Sequence, residues 1–293
     1  MLLASLLAFL ILEVSPGNIV HTLLGDEASL EQEMALQVEL GLDEPLLIRY
    51  LGYILNLVQG DMGVSMVSGR PVAQLIGQRF VNTLFLASLS ILLAVGIGFT
   101  LGIWASLHHQ QIADLAVIVL TSVALSFPSF GLAILLTQFF SLQLGWLPAF
   151  GGGSVRHLVL PCIALTVPTA AVIARVVRSK MHEELNKTYV LTALSKGLAL
   201  SQVWWKHVIR NAVIPALTVI GVQFGHLLGG AFIVETIFAW PGLGRLTVQA
   251  IFDRDFPVVL GAVVLSAILF QLCNAIVDIA HMHLDPRIRQ GIK

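Results

Sequence analysis

The side chains in this sequence that could do chemistry are few, and their spacing argues against catalysis. His108 and His109 are adjacent and His281 and His283 are two apart, so neither pair has the i, i+4 spacing that sets two imidazoles on one helix face, and no metal site is expected. Gly151-Gly152-Gly153 could cradle a phosphate, but no Lys-Ser or Lys-Thr follows it, so this chain holds no nucleotide loop of its own. Ser126 and Ser129 flank Pro128, where hydroxyls satisfy the carbonyls freed by a proline more readily than they attack anything. No nucleophile, base and orienting group stand together. The remaining ionisable group of interest is Glu235, set in apolar sequence. It either lines a pathway, meeting a cationic solute end or a metal, or pairs with Arg245 across the adjoining loop, the pairing being favoured.

What must position these groups is a membrane protein. Of 293 residues, 57% are hydrophobic and only 11% charged, and the mean hydropathy of +0.88 lies far outside the soluble range. Cys162 and Cys273 both fall inside apolar runs, which supports neither a disulfide framework nor a cysteine metal site. Residues 2–12 are apolar but too short to cross alone, reaching roughly half of a hydrocarbon core of about 30 Å. They read as a truncated first span. Residues 13–79 are acidic and form a periplasmic or interfacial helical region. There Ser29 with Gln32 makes a capping box, Gly41 a stop, Asp43-Glu44-Pro45 a second helix start, and residues 46–58 a helix lying on the interface.

The transmembrane part is residues 80–280. Residues 80–113 contain no Asp, Glu, Lys or Arg, and Gly96, Gly98 and Gly102 allow close helix approach. After the polar turn His108-His109-Gln110-Gln111, further spans are expected at 115–140, kinked or broken at Pro128, at 158–177, at 212–238 and at 257–279, with a tail at 281–293. The fold class is therefore all-α, polytopic, with about six transmembrane helices. Lysine and arginine gather in one polar segment (Arg175, Arg178, Lys180, Lys187, Lys196, Lys206, Arg210) and in the tail (Arg287, Arg289, Lys293), which places both in the cytoplasm.

That polar segment, with its centre at 179–211, reads as helix, break, helix. Residues 181–195 form helices readily, Gly197 suits a left-handed stop, and Ser201 can cap the next helix, which carries Trp204, Trp205, Lys206, His207 and Arg210 towards Pro215. Its apolar side chains would otherwise face water, so the segment is expected to dock a partner. The run Tyr189-Val190-Leu191-Thr192-Ala193-Leu194-Ser195-Lys196-Gly197, followed by Arg210-Asn211-Ala212 and Ile214-Pro215, resembles the coupling loop of permease subunits of ATP-binding-cassette importers, in the branch that imports dipeptides, oligopeptides and nickel. The family has Ala-Arg-Ala before Lys-Gly where this chain has Ala193-Leu194-Ser195. Phe238-Ala239-Trp240-Pro241-Gly242-Leu243-Gly244-Arg245 is a second resembling stretch, and Asp285-Pro286-Arg287 a third.

The resemblance implies a type I importer permease fold in the cell inner membrane. It implies a second homologous permease subunit, two cytoplasmic ATPase subunits that bind ATP and magnesium, an external binding protein, periplasmic or lipid-anchored, and membrane lipid. No cofactor is expected in this chain and no nucleic acid as partner. Tyr189, Thr192, Ala193, Lys196, Gly197 and Pro215 are then the residues of the ATPase-coupling loop, with Ala193 permitting close approach. Glu235, Trp240, Pro241 and Gly242 are candidates for a pathway or gate, with Trp240 as an interfacial anchor, though a plain structural loop is the simpler reading of that turn. Family members begin with a basic stretch and a longer first span, which implies that Met1 is an internal or clipped start. Peptides, nickel or its chelates, and glutathione-like compounds all suit the branch. An ion-coupled secondary transporter is the main rival, and would need paired ionisable groups deep in several spans.

Overall fold

In the computed structural model the residues described are 29–39 and 43–284, with Leu6, Leu7, Phe9, Leu10 and Leu24 besides. Most of the expected first span, the stop at Gly41 and the tail from 285 lie outside them. Among the described residues the regular structure is helical, with one isolated antiparallel bridge between Val64 and Pro71.

Among the described residues two helices with defined bounds come before the long ones. Helix α1, Leu30–Glu39, opens on the expected capping box: the Ser29 N–H donates to Gln32 Oε1 at 3.1 Å and the Gln32 N–H to Ser29 Oγ at 3.3 Å. Helix α2, Leu46–Val58, buries none of its residues, and Leu47, Leu51, Leu55 and Val58 form an exposed apolar stripe of the kind an interfacial helix presents to a bilayer.

The long elements are α3 (Val72–Leu107), α4 (Ile112–Ser126), α5 (Ser129–Leu136, continued by a π-helix Thr137–Gln143) and α6 (Val155–Leu185). A short helix α7 (Thr188–Ser195) follows, then α8 (Leu200–Val203), which runs through a π-helical stretch, Trp204–Val208, into α9 (Ile209–Gly230). Last come α10 (Phe232–Ile237), α11 (Leu243–Phe252) and α12 (Phe256–Leu284). Val72–Leu107, Val155–Leu185, Leu200–Gly229 and Phe256–Ala280 are each long and apolar enough to cross a membrane, and α4 with α5 makes a fifth candidate if counted as one broken span.

Several expectations change in detail. The span at 115–140 is two helices bent by 92°, because Pro128 has no N–H to donate and pushes Phe127 into extended backbone with ψ 120°. Ser126 Oγ bonds the Ser122 carbonyl, one turn back in its own helix, rather than the carbonyl that the proline frees. The fifth span begins at Leu200 rather than 212 and ends before Ala231, so Glu235 stands in the separate short helix α10. The expected helix over 181–195 is interrupted at Asn186 and Lys187, and α8 starts from Ala199 with no side-chain cap, so Ser201 does not serve as one.

The chain divides into two compact units. One comprises residues 1–82 and 241–268. Its core joins Val72 and Ile76 of α3 to Leu243 and Ala250 of α11 and Val258 and Ala262 of α12. Asp255 pins the preceding loop to this core: Ser65 Oγ donates to its carboxylate at 2.5 Å and the Met66 N–H at 3.1 Å. The Asn82 amide donates to the Pro241 carbonyl at 2.8 Å.

The other unit comprises residues 83–240 and 269–293, where α6 packs against α4, α5 and α9. Pro161 and Pro168 lie inside α6 without breaking it. Small residues set the helix spacing. A Cβ on Gly98 would sit 2.8 Å from Ile173 and one on Gly102 2.8 Å from the Ala174 carbonyl, so α3 lies directly on α6, as membrane helices do where backbones approach closely. Gly96 has no neighbour within 4 Å and is not part of that contact.

Gly102→Leu is therefore expected to overpack the α3–α6 seam by about 1–3 kcal/mol and to lower the melting temperature of the purified protein by several degrees. Gly96→Leu should leave it nearly unchanged. Equal effects in a thermal melt would refute the seam.

Candidate functional site

The candidate site is the elbow between α6 and α9. Helix α6 ends at Leu185, Lys187 is extended (φ −80°, ψ 148°), and α7 restarts at Thr188. Gly197 closes α7 in the left-handed region at φ +81°, with the Gly197 N–H bonded to the Leu194 carbonyl and the Leu198 N–H to the Ala193 carbonyl. This is a Schellman stop, as the sequence predicts, and glycine fits because a Cβ there is strained even where space is open.

The short helix presents two faces. Val190 and Ala193 are buried against Met181, Val203, Trp204, Val208 and Ala212. The smallness of Ala193 therefore serves packing on the chain's own core, not the approach of a partner. Leu191, Leu194, Leu198 and Leu200 face outward, and Trp205 is 70% exposed. Thr192, Lys196 and Gly197 are exposed with them, and Thr192 Oγ1 donates back to the Thr188 carbonyl at 3.1 Å. Pro215 stands apart from this surface, half-buried inside α9, which continues through it.

What holds α7 in place is a polar cluster that sequence reasoning passed over. Glu184, buried in the last turn of α6, accepts from Lys187 Nζ at 2.5 Å and from the Tyr189 hydroxyl at 2.8 Å, and that hydroxyl in turn accepts from the Asn211 amide of α9 at 3.3 Å. Burial raises the Tyr189 phenol above its ordinary range, with the Glu184 carboxylate adding to the rise, so it stays a donor at neutral pH. One carboxylate thus ties α6, α7 and α9 together. The available signal was a Glu followed at three and five residues by Lys and Tyr, inside a stretch expected to be one continuous helix.

A second cluster fixes the turn between α3 and α4. Asp114 is buried and takes a two-pronged bond from Arg178 of α6, Nε to Oδ1 at 2.5 Å and Nη2 to Oδ2 at 2.8 Å, with His109 Nδ1 at 3.1 Å and the Gln110 N–H at 3.1 Å. Gln110 adopts φ +63° to make that contact. Neither residue stood out in the sequence, because the partners are 64 positions apart.

Glu235 is fully buried, and its Oε1 accepts from the Thr83 hydroxyl at 2.6 Å. Arg245 lies in the other unit. Trp240 is buried in the core with Phe238 and Leu228, not at the exposed rim expected of an interfacial anchor. Pro241 offers its carbonyl to Asn82, and Gly242 is the residue from which α11 starts. Among the described residues no group of three or more His, Cys, Asp or Glu side chains could hold a metal ion.

Comparison with known proteins places the chain in a family. Residues 98–290 match the family described as binding-protein-dependent transport system inner membrane component. The chain is 41% identical over 289 residues, 99% of its length and 94% of the relative's, to the glutathione transport system permease protein GsiC of Salmonella choleraesuis (strain SC-B67). It is 42% identical over 287 residues to the protein of that name from Escherichia coli (strain K12), again covering 94% of it. Among solved structures, an inward-facing methionine ABC transporter, MetNI, superposes with a TM-score of 0.62 at 20% identity, over 72% of this chain and 97% of that one. An amino acid ABC transporter superposes at 0.60 and 17% identity, over 72% and 94%. The structures show a shared fold.

Replacing Glu184 with Gln removes a charge-assisted acceptor, and amide exchange across residues 188–196 is expected to quicken roughly tenfold while the long helices keep their protection. Unchanged exchange in α7 would mean that the apolar contacts of Val190 and Ala193 hold it alone.

Proposed function

Since this chain belongs to the family of binding-protein-dependent transport system inner membrane components, we propose that the work it does on a solute is supplied by ATPase subunits docked on α7. The chain is a multi-pass inner-membrane permease subunit of an ATP-driven importer. The observation that carries the docking proposal is the outward row of Leu191, Leu194, Leu198 and Trp205 on a segment rich in lysine and arginine, outside the apolar runs.

In this reading closure of two ATPase subunits pushes on Tyr189, Thr192, Lys196 and Gly197. The Glu184 cluster then passes the push to α6 and α9 at once, and a second, homologous permease completes the route between the two chains. Glu235, Trp240, Pro241 and Gly242 are the candidate outer gate, fed by an external binding protein. The solute is peptide-like, of the kind named for the glutathione transport relatives.

Gly197→Val forces a β-branched residue into the left-handed region, at a cost of about 1–2 kcal/mol. It should leave the spans inserted but sharply lower the solute moved per ATP hydrolysed by the reconstituted importer. Gly197→Asn, which tolerates that conformation, should keep most of the coupling. Normal coupling in the Val variant would remove the turn from the mechanism. A tagged chain should also bring ATPase subunits down with it, and vesicles holding this polypeptide alone should accumulate no solute; accumulation there would favour an ion-coupled transporter instead.

A further inference from the structure

The seam between α4 and α6 carries two clefts in succession. The first, about 260 Å³, lies among Val117, Ile118 and Thr121 of α4 and Ala174, Arg175 and Arg178 of α6. The second, about 430 Å³ and so within the range of small-molecule sites, follows where the α4–α5 break opens beside Pro168 of α6 and Gln223 and His226 of α9.

Their charges are not alike. In the first cleft Arg178 is neutralised by Asp114, but Arg175 has only hydroxyl partners, Thr121 Oγ1 at 3.2 Å and Ser122 Oγ at 2.6 Å, and is exposed. In the second, His226 is exposed, and among the described residues neither its ring nitrogens nor the Gln223 side chain has a hydrogen-bond partner. Arg175 sits about 15 Å along α6 from its Leu185 end, near the end of the apolar run at 158–177, and His226 about 26 Å along α9 from Ile209, well inside its apolar run. An exposed guanidinium and an exposed imidazole on one face are not turned to hydrocarbon, so this face meets water, solute or protein. The carboxylates nearby are hidden: Asp114 and Glu235 are both buried and hydrogen-bonded. The residues lining both clefts include donors and a fixed positive charge but no acidic side chain.

We propose that this seam is part of the solute route, with Arg175 and then His226 with Gln223 as successive stations for a carboxylate, so that the route takes anionic peptides. The assignment rests on the transport reading above and narrows its solute class. Guanidinium and imidazole N–H groups match a carboxylate's acceptor oxygens, and no acidic side chain lines either cleft to repel one.

The test is uptake by the complete importer in proteoliposomes, comparing glutathione with its glycine amide. The same binding protein delivers both, so a change in their ratio between wild type and variant reports on the permease. Arg175→Gln and His226→Gln should each lower kcat/KM for glutathione about tenfold with little effect on the amide, while Arg175→Lys keeps most of the wild-type ratio. Binding-protein-stimulated ATP hydrolysis should persist in all three, showing that the complex is assembled. Equal losses for both solutes, or no loss for either, overturn the stations but leave the transport reading intact. Should Arg175→Gln fail to assemble, the His226→Gln ratio decides by itself. A wild-type complex that moves neither peptide overturns the transport reading, and this assignment falls with it.

Discussion

A carboxylate that leaves water must be met by donors, and in this protein that requirement organises the polar interior. Asp255 is met by Ser65 and Met66 from about 190 positions away, Glu235 by Thr83 from 152, and Asp114 by Arg178 from 64. Each bond closes a long loop of chain around an apolar environment that would penalise the bare ion by several kcal/mol. Removing one partner leaves a stranded charge, so these few bonds specify the arrangement more sharply than their number suggests. Hydrophobic burial cannot do this, since lipid tails and leucine side chains are nearly equivalent surroundings.

Glycine supplies what burial does not. Gly98 and Gly102 bring α3 against α6, and on the other side Gly221 and Gly225 admit Val277 and Phe270 of α12. Dispersion between closely approaching backbones then replaces the missing solvent drive. With the spans fixed in this way, α7 can act as a rigid foot. It is only eight residues long, too short to be stable alone, yet it is held by two buried side chains and by the Glu184 cluster that reaches both α6 and α9.

Much of this was legible in the residues. The apolar runs gave the membrane class, Ser29 with Gln32 gave a cap that forms, and Gly197 gave a stop that forms with the expected sign of φ. What could not be read was pairing at a distance. Hydropathy marks where a span is affordable but not where a helix ends, so Leu200 to Ala231 was misjudged at both edges. Ala193 was assigned to a partner because a small residue in a polar segment gives no hint that its neighbours in space are Val203 and Val208. Trp240 was placed at an interface by its type, whereas its position two residues after Phe238 folds it into the core.

The contrast between Pro128 and Pro168 shows how context decides the consequence of one chemical defect. Both remove an N–H from a membrane helix and both line the same cleft, but Pro128 is exposed and follows exposed residues, whereas Pro168 is half-buried within α6, which packs against α4, α5 and α9. Where packed helices hold the axis straight, the lost bond is absorbed and the helix continues; where the proline and the residues before it lie exposed, little opposes the turn and the chain breaks. At the break the Ala124 carbonyl lacks the N–H that a continuous, proline-free helix would bring to it, and a carbonyl freed in this way needs water, a neighbouring side chain or a polar solute.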